Sequence, residues 1–235
     1  MKKWMKLSLL VILLAGCQQS ILGGSHTKID WIDFIKWDDM EYLGIYTGVL
    51  ADDGYVGKQI GTVKFKVADN VTNPSYKTKN GDAAFHEKGT AIYAVEGESE
   101  LIAVKDERSI NSYRVYYSTE MIDYNWRSKE IPVDEVKKVE IYEDYTPERP
   151  LRIAEIINTA DMTRLLDILK NSKKDDSFQP NMDNGDPIYY EIVLYTDGPI
   201  AVKYGIYFDG TTYYWSQEDM AILSDDIKQF IPNKK

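Results

Sequence analysis

The chain has 235 residues and is acidic, with 38 Asp and Glu against 28 Lys and Arg and a net charge of −10 at pH 7. An acidic chain is repelled by phosphate backbones, which argues against a nucleic acid partner. One Cys excludes an internal disulfide, a four-thiolate zinc site and an iron–sulfur cluster, and two His leave little for transition-metal chemistry. We therefore predict neither a metal site nor a cofactor.

The first 16 residues have the layout of a secretory signal peptide. Three lysines precede an apolar run at 7–14, and the small residues Ala15 and Gly16 follow it. A transmembrane helix is the alternative, but residues 4–16 would span only about 20 Å of a hydrocarbon core that is roughly 30 Å thick. The segment 1–16 is therefore expected to be a cleaved leader.

The lone cysteine ends the segment Leu14-Ala15-Gly16-Cys17, which resembles the lipobox of bacterial lipoproteins. The resemblance implies that the Cys17 thiol receives a diacylglyceryl group and that a peptidase cuts before it. Two fatty-acyl chains, such as palmitate, anchor a protein stably to the lipid bilayer, whereas a single chain gives only weak, reversible membrane binding. The alternative is a free, buried Cys behind an ordinary leader.

The polar, Gly-rich segment 17–28 is expected to be a flexible tether behind the lipid anchor. Loss of the three leader lysines would change the net charge from −10 to −13. Because the membrane surface is also anionic, the folded part should stand away from the lipid on the extracytoplasmic face of the cell membrane.

The rest of the chain predicts an α+β fold of mostly antiparallel sheet in two modules, 29–118 and 132–235, with a linker at 119–131. The first module is β-rich. Alternation over 62–67 places Val63, Phe65 and Val67 on one face of a half-buried strand. Further strands are predicted at 40–46, 91–95, 101–105 and 113–117.

A long irregular segment at 69–90 interrupts the first module and carries the basic residues Lys77, Lys79, His86 and Lys88. Such loops are often functional, and the alternative is a solvated loop packed by Tyr76 and Phe85. The run 60–97 resembles a segment of uncharacterised lipoproteins of Gram-positive spore-forming bacteria. That resemblance supports the compartment and supplies no catalytic residue.

The second module is expected to contain strands at 136–142 and 151–157, followed by a helix. Thr159 is the predicted N-cap of this helix, whose apolar residues recur at i, i+3, i+4 and i+7. These residues are Met162, Leu165, Leu166 and Leu169. A short last helix near 225–231, capped by Ser224, is expected to close the module.

A three-stranded meander follows the helix, and the hydrophobic pattern predicts its register. A two-residue loop at 197–198 would place the apolar rows of strands 188–194 and 200–208 on opposite sides of the sheet. A three-residue loop at 197–199 places them on the same side, so burial favours it. Asp209-Gly210 is the predicted turn into the third strand, which adds Tyr213 and Trp215 to the buried face.

The opposite face of the meander is a candidate ligand-binding platform for a sugar ring or an extended peptide. Tyrosines stand on it, and Gly205 is expected to leave a gap beside Glu191. The alternative is that the tyrosines only stabilise the sheet or pack beneath the other module. The candidate binding residues are Tyr189, Glu191, Lys203, Tyr207 and Tyr214.

No phosphate-binding, dinucleotide-binding, zinc-protease or serine-hydrolase motif occurs in the chain. The sequence therefore favours a non-catalytic, membrane-anchored envelope lipoprotein that binds or scaffolds an envelope protein or a wall polymer. The alternatives are a module that binds wall glycan or peptide through the tyrosines or the segment 69–90, and an envelope hydrolase with an unrecognised pair of carboxylates.

Overall fold

The computed structural model describes residues 29–121, 134–143, 149–183, 185–216 and 220–232. The expected signal peptide, Cys17, the tether and most of the predicted linker 119–131 lie outside these residues. Within the described residues the chain forms two eight-stranded sheets and one α-helix, with antiparallel pairing throughout except between two short strands. The predicted α+β class is confirmed.

The strands are numbered in chain order. Those of the first half are β1 (Phe34–Trp37), β2 (Met40–Gly44), β3 (Gly48–Leu50), β4 (Val56–Thr62), β5 (Phe65–Lys66), β6 (Asp82–Ala83), β7 (Ala91–Val95), β8 (Glu98–Lys105) and β9 (Tyr113–Ser118). The second half contains β10 (Lys138–Glu143), β11 (Leu151–Ile156), the helix α1 (Thr159–Lys170), β12 (Lys173–Lys174), β13 (Ile188–Tyr195), β14 (Ile200–Phe208), β15 (Tyr213–Ser216) and β16 (Met220–Ile222). Single turns of 3₁₀ helix occur at Asp53–Tyr55, Ile110–Ser112 and Asp225–Gln229.

The first sheet has the strand order β4-β7-β8-β9-β2-β1-β6-β5. The predicted continuous strand at 62–67 is wrong, because the backbone changes partners there: Val63 N donates to Thr90 O, whereas Lys64 N donates to Gly81 O. The inward residues Val63 and Val67 are nevertheless buried, as the alternation predicted. Burial thus follows the side-chain pattern although the strand is broken.

The segment 69–90 is folded back on the first sheet. Its strand β6 pairs with both β1 and β5, and the Tyr76 hydroxyl donates to Asp82 Oδ2 at 2.8 Å. Tyr76 packs against the cluster of Phe34, Val67, Val71 and Ala84. Phe85 is 44% exposed, so its predicted packing role is wrong.

The second sheet has the order β11-β10-β13-β14-β15-β16-β12, and its meander has the predicted register. Leu194 pairs with Val202 and Ile188 with Phe208, which leaves the three-residue loop 197–199 and puts both apolar rows on one face. The next turn is shifted by one residue, to Gly210-Thr211. The Asp209 carboxylate accepts hydrogen bonds from the backbone N–H groups of Thr211 and Thr212, which fixes this turn.

Helix α1 covers the apolar face of the second sheet. Its buried residues Leu165, Leu166 and Leu169 pack among strand residues such as Ile192 and Ile206. The predicted N-cap is one residue out: the side chain of Asn158, not that of Thr159, accepts hydrogen bonds from the N–H groups at 160 and 161. The last helical turn is 3₁₀ and is capped by Ser224, as predicted.

The two halves of the chain meet through β3. This strand comes from the first half but pairs with β14, and Val49 lies opposite Ala201. A small apolar cluster then fills the junction between the sheets. Its buried members are Val49, Ile110, Tyr142, Val193, Tyr195 and Ala201. The first half therefore adds a strand to the second sheet and covers part of the face that does not contact helix α1.

Candidate ligand-binding cleft

A cleft of about 170 Å³ opens where the two halves meet. The first half contributes β3 and the residues just before it, the loop between β8 and β9, and the start of β9. The second half contributes Pro150 and residues of β13 and β14. The lining includes Tyr46, Arg108, Tyr113, Arg114, Glu191 and Lys203. The cleft is thus lined by charged side chains from both halves of the chain.

The loop that carries Arg108 is held in an unusual conformation. Asn111 and Ser112 have positive φ angles of 57° and 62°. Residues other than glycine adopt such angles at some cost in free energy. The Asn111 amide donates to Leu50 O at 2.8 Å and to the Tyr195 hydroxyl at 3.2 Å. These hydrogen bonds to both halves fix the rim of the cleft.

Arg114 also lines the cleft, on the side formed by the first half of the chain. A buried carboxylate, that of Asp33, forms an ion pair with it. Arg114 Nη1 lies 2.9 Å from Asp33 Oδ2, and the Asp33 side chain has no exposed surface. A Cβ atom at position 44 would lie 2.7 Å from the same oxygen, so only glycine allows β2 to approach Asp33 this closely. Arg114 itself is one-third exposed and faces the cleft.

Behind Asp33, a chain of hydrogen bonds runs to His86. The buried Tyr116 hydroxyl donates to Asp33 Oδ1 at 3.0 Å, and His86 Nε2 lies 2.6 Å from the same hydroxyl. Because Tyr116 has only one hydroxyl proton, His86 Nε2 must be the donor in the second bond. Burial lowers the pKa of His86, so the neutral ring with its proton on Nε2 predominates at pH 7.

The opposite wall contains an ion pair on neighbouring strands. Lys203 Nζ lies 2.5 Å from Glu191 Oε1, and both side chains are largely buried. The Tyr189 hydroxyl donates to the same Glu191 oxygen at 3.3 Å. Two of the five predicted binding residues, Glu191 and Lys203, therefore line the cleft.

The three predicted tyrosines form a ladder beyond the cleft. The ring of Tyr207 lies between Tyr189, at 5.0 Å between centroids, and Tyr214, on which it stacks at 5.3 Å. Phe178 packs on Tyr214 in turn, at 5.1 Å. Because Tyr207 contacts a neighbouring ring on each adjacent strand, the geometry favours packing of the sheet at this residue over stacking of a ligand.

The gap expected at Gly205 is not open. Glu191 lies opposite Gly205, as the register requires. However, a Cβ atom at position 205 would lie 2.7 Å from Cε2 of Tyr189, so the Tyr189 ring fills this space. Glycine is required here because the tyrosine crosses directly over the backbone.

A cluster of hydrogen bonds around the buried Glu140 carboxylate is connected to the cleft. Glu140 accepts hydrogen bonds from the Tyr195 hydroxyl at 2.5 Å, the Tyr142 hydroxyl at 2.7 Å and Arg152 at 2.7 Å, and Lys138 adds a fourth at 3.0 Å. Burial alone would raise the pKa of Glu140, but these donors outweigh it and lower the pKa to about 2. Tyr195 links the cluster to Asn111 at the rim of the cleft.

The sequence did not identify the first wall of the cleft. Arg108 and Arg114 flank the irregular stretch 109–112, and no motif marks them. Asn111 and Ser112 lie between the predicted strands 101–105 and 113–117. The meeting of this stretch with β13 and β14 depends on the pairing of β3. Only Glu191 and Lys203 could be identified, from their shared face in the meander.

The comparisons with known proteins show no relationship. No protein-family model matches the chain, and neither a curated protein nor a solved structure matches it. In the part of the chain that the structure describes, no helix has both the length and the apolar character that a membrane span needs. Across the same residues, no three His, Cys, Asp or Glu side chains are grouped so as to hold a metal ion.

Proposed function

We propose that the chain is an extracytoplasmic lipoprotein, anchored to the cell membrane through Cys17, and that its folded part is a non-catalytic binding module. The leader at 1–16, the lipobox-like segment ending at Cys17 and the polar tether support the anchor. The cleft between the two sheets is the proposed ligand site, and its ligand is a small charged group of an envelope component.

The observation that carries this proposal is the charged lining of the cleft. Arg108 and Arg114 come from one half of the chain, and Lys203 and Glu191 come from the other. Concave sites with a few polar groups, placed where two units of a fold meet, are common ligand sites. The strained rim at Asn111-Ser112 also fits a functional site.

A hydrolase is the weaker alternative. Hydrolysis of a glycosidic bond normally requires two carboxylates that face each other across a cleft. Among the described residues that line this cleft, Glu191 is the only carboxylate, and Lys203 pairs with it. A glycan platform on the tyrosine ladder is also less favoured, because Tyr207 packs between the rings of Tyr189 and Tyr214.

Binding in the cleft can be tested with the full-length protein purified in detergent micelles. Saturation-transfer NMR with acetate, methyl phosphate, methylamine and glycine should show contact with at least one of these probes. Arg108→Glu should abolish contact with probes that carry a carboxylate or phosphate, because it reverses an exposed charge in the cleft. Arg164→Glu, on the distant helix α1, is the matched control and should have no effect.

Two outcomes would contradict the cleft as the ligand site: contact with none of the four probes, or unchanged contact in Arg108→Glu. A stoichiometric protein partner recovered from solubilised envelope would instead favour a scaffold. Turnover of wall fragments that is abolished by a single Asp or Glu substitution would favour the hydrolase.

The proposed anchor predicts the location of a Cys17 variant. Cys17→Ala should move the protein from the membrane fraction to the soluble fraction, or leave it as an unprocessed precursor, because no acyl chain can be attached at that position. Ser20→Ala, three residues further along the tether, should leave the protein in the membrane fraction. Membrane retention of Cys17→Ala that resembles the wild type would contradict the anchor.

A further inference from the structure

The charges of the cleft are balanced in pairs. Arg108 lies 3.6 Å from Asp106, Arg114 2.9 Å from Asp33, and Lys203 2.5 Å from Glu191. Among the described residues, each of the three positive groups in the cleft is therefore paired with one negative group. A purely anionic ligand would gain little from such a site, whereas a ligand with one positive and one negative group matches it.

The two walls nevertheless present different charges to a ligand. Asp33 and Asp106 lie behind their arginines and do not line the cleft, so the first wall presents the guanidinium groups. Glu191 does line the cleft, together with its ion-pair partner Lys203, and it is the only carboxylate among the described residues of the lining. Guanidinium groups bind carboxylates through paired N–H donors, and a carboxylate accepts hydrogen bonds from an ammonium group.

The size of the cleft limits the ligand further. A volume of about 170 Å³ is smaller than the roughly 300–1,000 Å³ of sites for drug-sized ligands. The occupant must therefore carry its two charges close together. An α-amino acid does so, because its ammonium and carboxylate groups share one carbon atom.

From these observations we propose that the cleft binds an α-amino-acid zwitterion. The carboxylate contacts Arg108 and Arg114, and the ammonium group contacts Glu191. This inference rests on the proposed function, since it names the ligand class of the same cleft. A phosphoethanolamine headgroup carries comparable charges over a greater length, and the test below distinguishes it.

The test is isothermal titration of the full-length protein in detergent micelles with glycine, acetate, methylamine and glycerophosphoethanolamine. Glycine should bind about tenfold more tightly than acetate or methylamine, which is the factor expected for one additional close charge pair. Equal binding of acetate and glycine would overturn the zwitterion but would leave the cleft as the ligand site. Tighter binding of glycerophosphoethanolamine than glycine would overturn the amino acid, and binding of no probe would overturn both proposals.

Two variants assign the ligand's charges to the two walls. Glu191→Gln keeps the shape of the side chain and should reduce glycine binding to the level of acetate. Arg108→Gln should weaken glycine and acetate by the same factor and leave methylamine unchanged. Because Arg108 is 78% exposed, this second variant should fold even if Glu191→Gln does not. Unchanged glycine binding in Arg108→Gln would overturn the assignment.

Discussion

Glu140→Ala should lower the free energy of unfolding by about 3–5 kcal/mol, the range observed when a buried, paired charge is removed. The Glu140 carboxylate accepts hydrogen bonds from four donors, and two of them, the hydroxyls of Tyr142 and Tyr195, are buried with it. Its removal leaves these hydroxyls without their acceptor, which adds a desolvation cost. Urea unfolding followed by tryptophan fluorescence measures the change.

Glu155→Ala is the matched control for Glu140→Ala. Glu155 accepts a hydrogen bond from the same Arg152, at 2.9 Å, but its side chain is 41% exposed. Exposed ion pairs contribute little, so we expect a change of about 0.5 kcal/mol or less. Equal destabilisation by the two substitutions would mean that the cluster around Glu140 does not support the fold.

The stabilisation from Glu140 should also depend on pH. The pKa of Glu140 is lowered to about 2 in the folded protein, from an ordinary value of 4.5. A lowered pKa means that the carboxylate stabilises the fold fully above the ordinary value, and that this contribution is lost as the pH falls through the folded value. The stability difference between wild type and Glu140→Ala should therefore shrink between about pH 5 and pH 2.

Arg114→Gln should have the second-largest effect, a loss of about 3 kcal/mol of unfolding free energy. The substitution leaves the fully buried Asp33 carboxylate with the Tyr116 hydroxyl but without its cation. The measurement is again urea unfolding at pH 7.

Arg108→Gln is the control within the same cleft. Arg108 is exposed and lies 3.6 Å from Asp106, so its replacement should change the stability by no more than about 0.5 kcal/mol. Both substitutions should weaken binding of a carboxylate, but only Arg114→Gln should destabilise the fold. A similar loss of stability in both variants would contradict the structural role assigned to Asp33.

The second sheet could be predicted closely because its signals are local. The alternation in 188–194 and 200–208 admits only the loop 197–199 if both apolar rows are to be buried, and the observed pairing of Leu194 with Val202 follows from it. The spacing of Leu165, Leu166 and Leu169 predicted the face of α1 in the same way. Here periodicity and burial point to one structure.

The cleft could not be predicted because it depends on contacts that are remote in sequence. β3 has only three residues, and its pairing with β14 joins positions about 150 residues apart. No periodicity marks so short a strand. Without this pairing, nothing in the sequence places Arg108 and Arg114 beside Glu191 and Lys203. The break at Val63 had a similar cause, because the new partner of the strand, near Gly81, lies across an irregular segment.

Backbone NMR of the ¹⁵N-labelled full-length protein in detergent micelles, titrated with glycine, tests most directly whether the junction of the two halves is the ligand site. We predict shifts that cluster at 45–49 and 108–114 in one half and at Glu191 and Lys203 in the other. Shifts confined to the tyrosine ladder around Tyr207 and Tyr214, or an unchanged spectrum at saturating glycine, would contradict it.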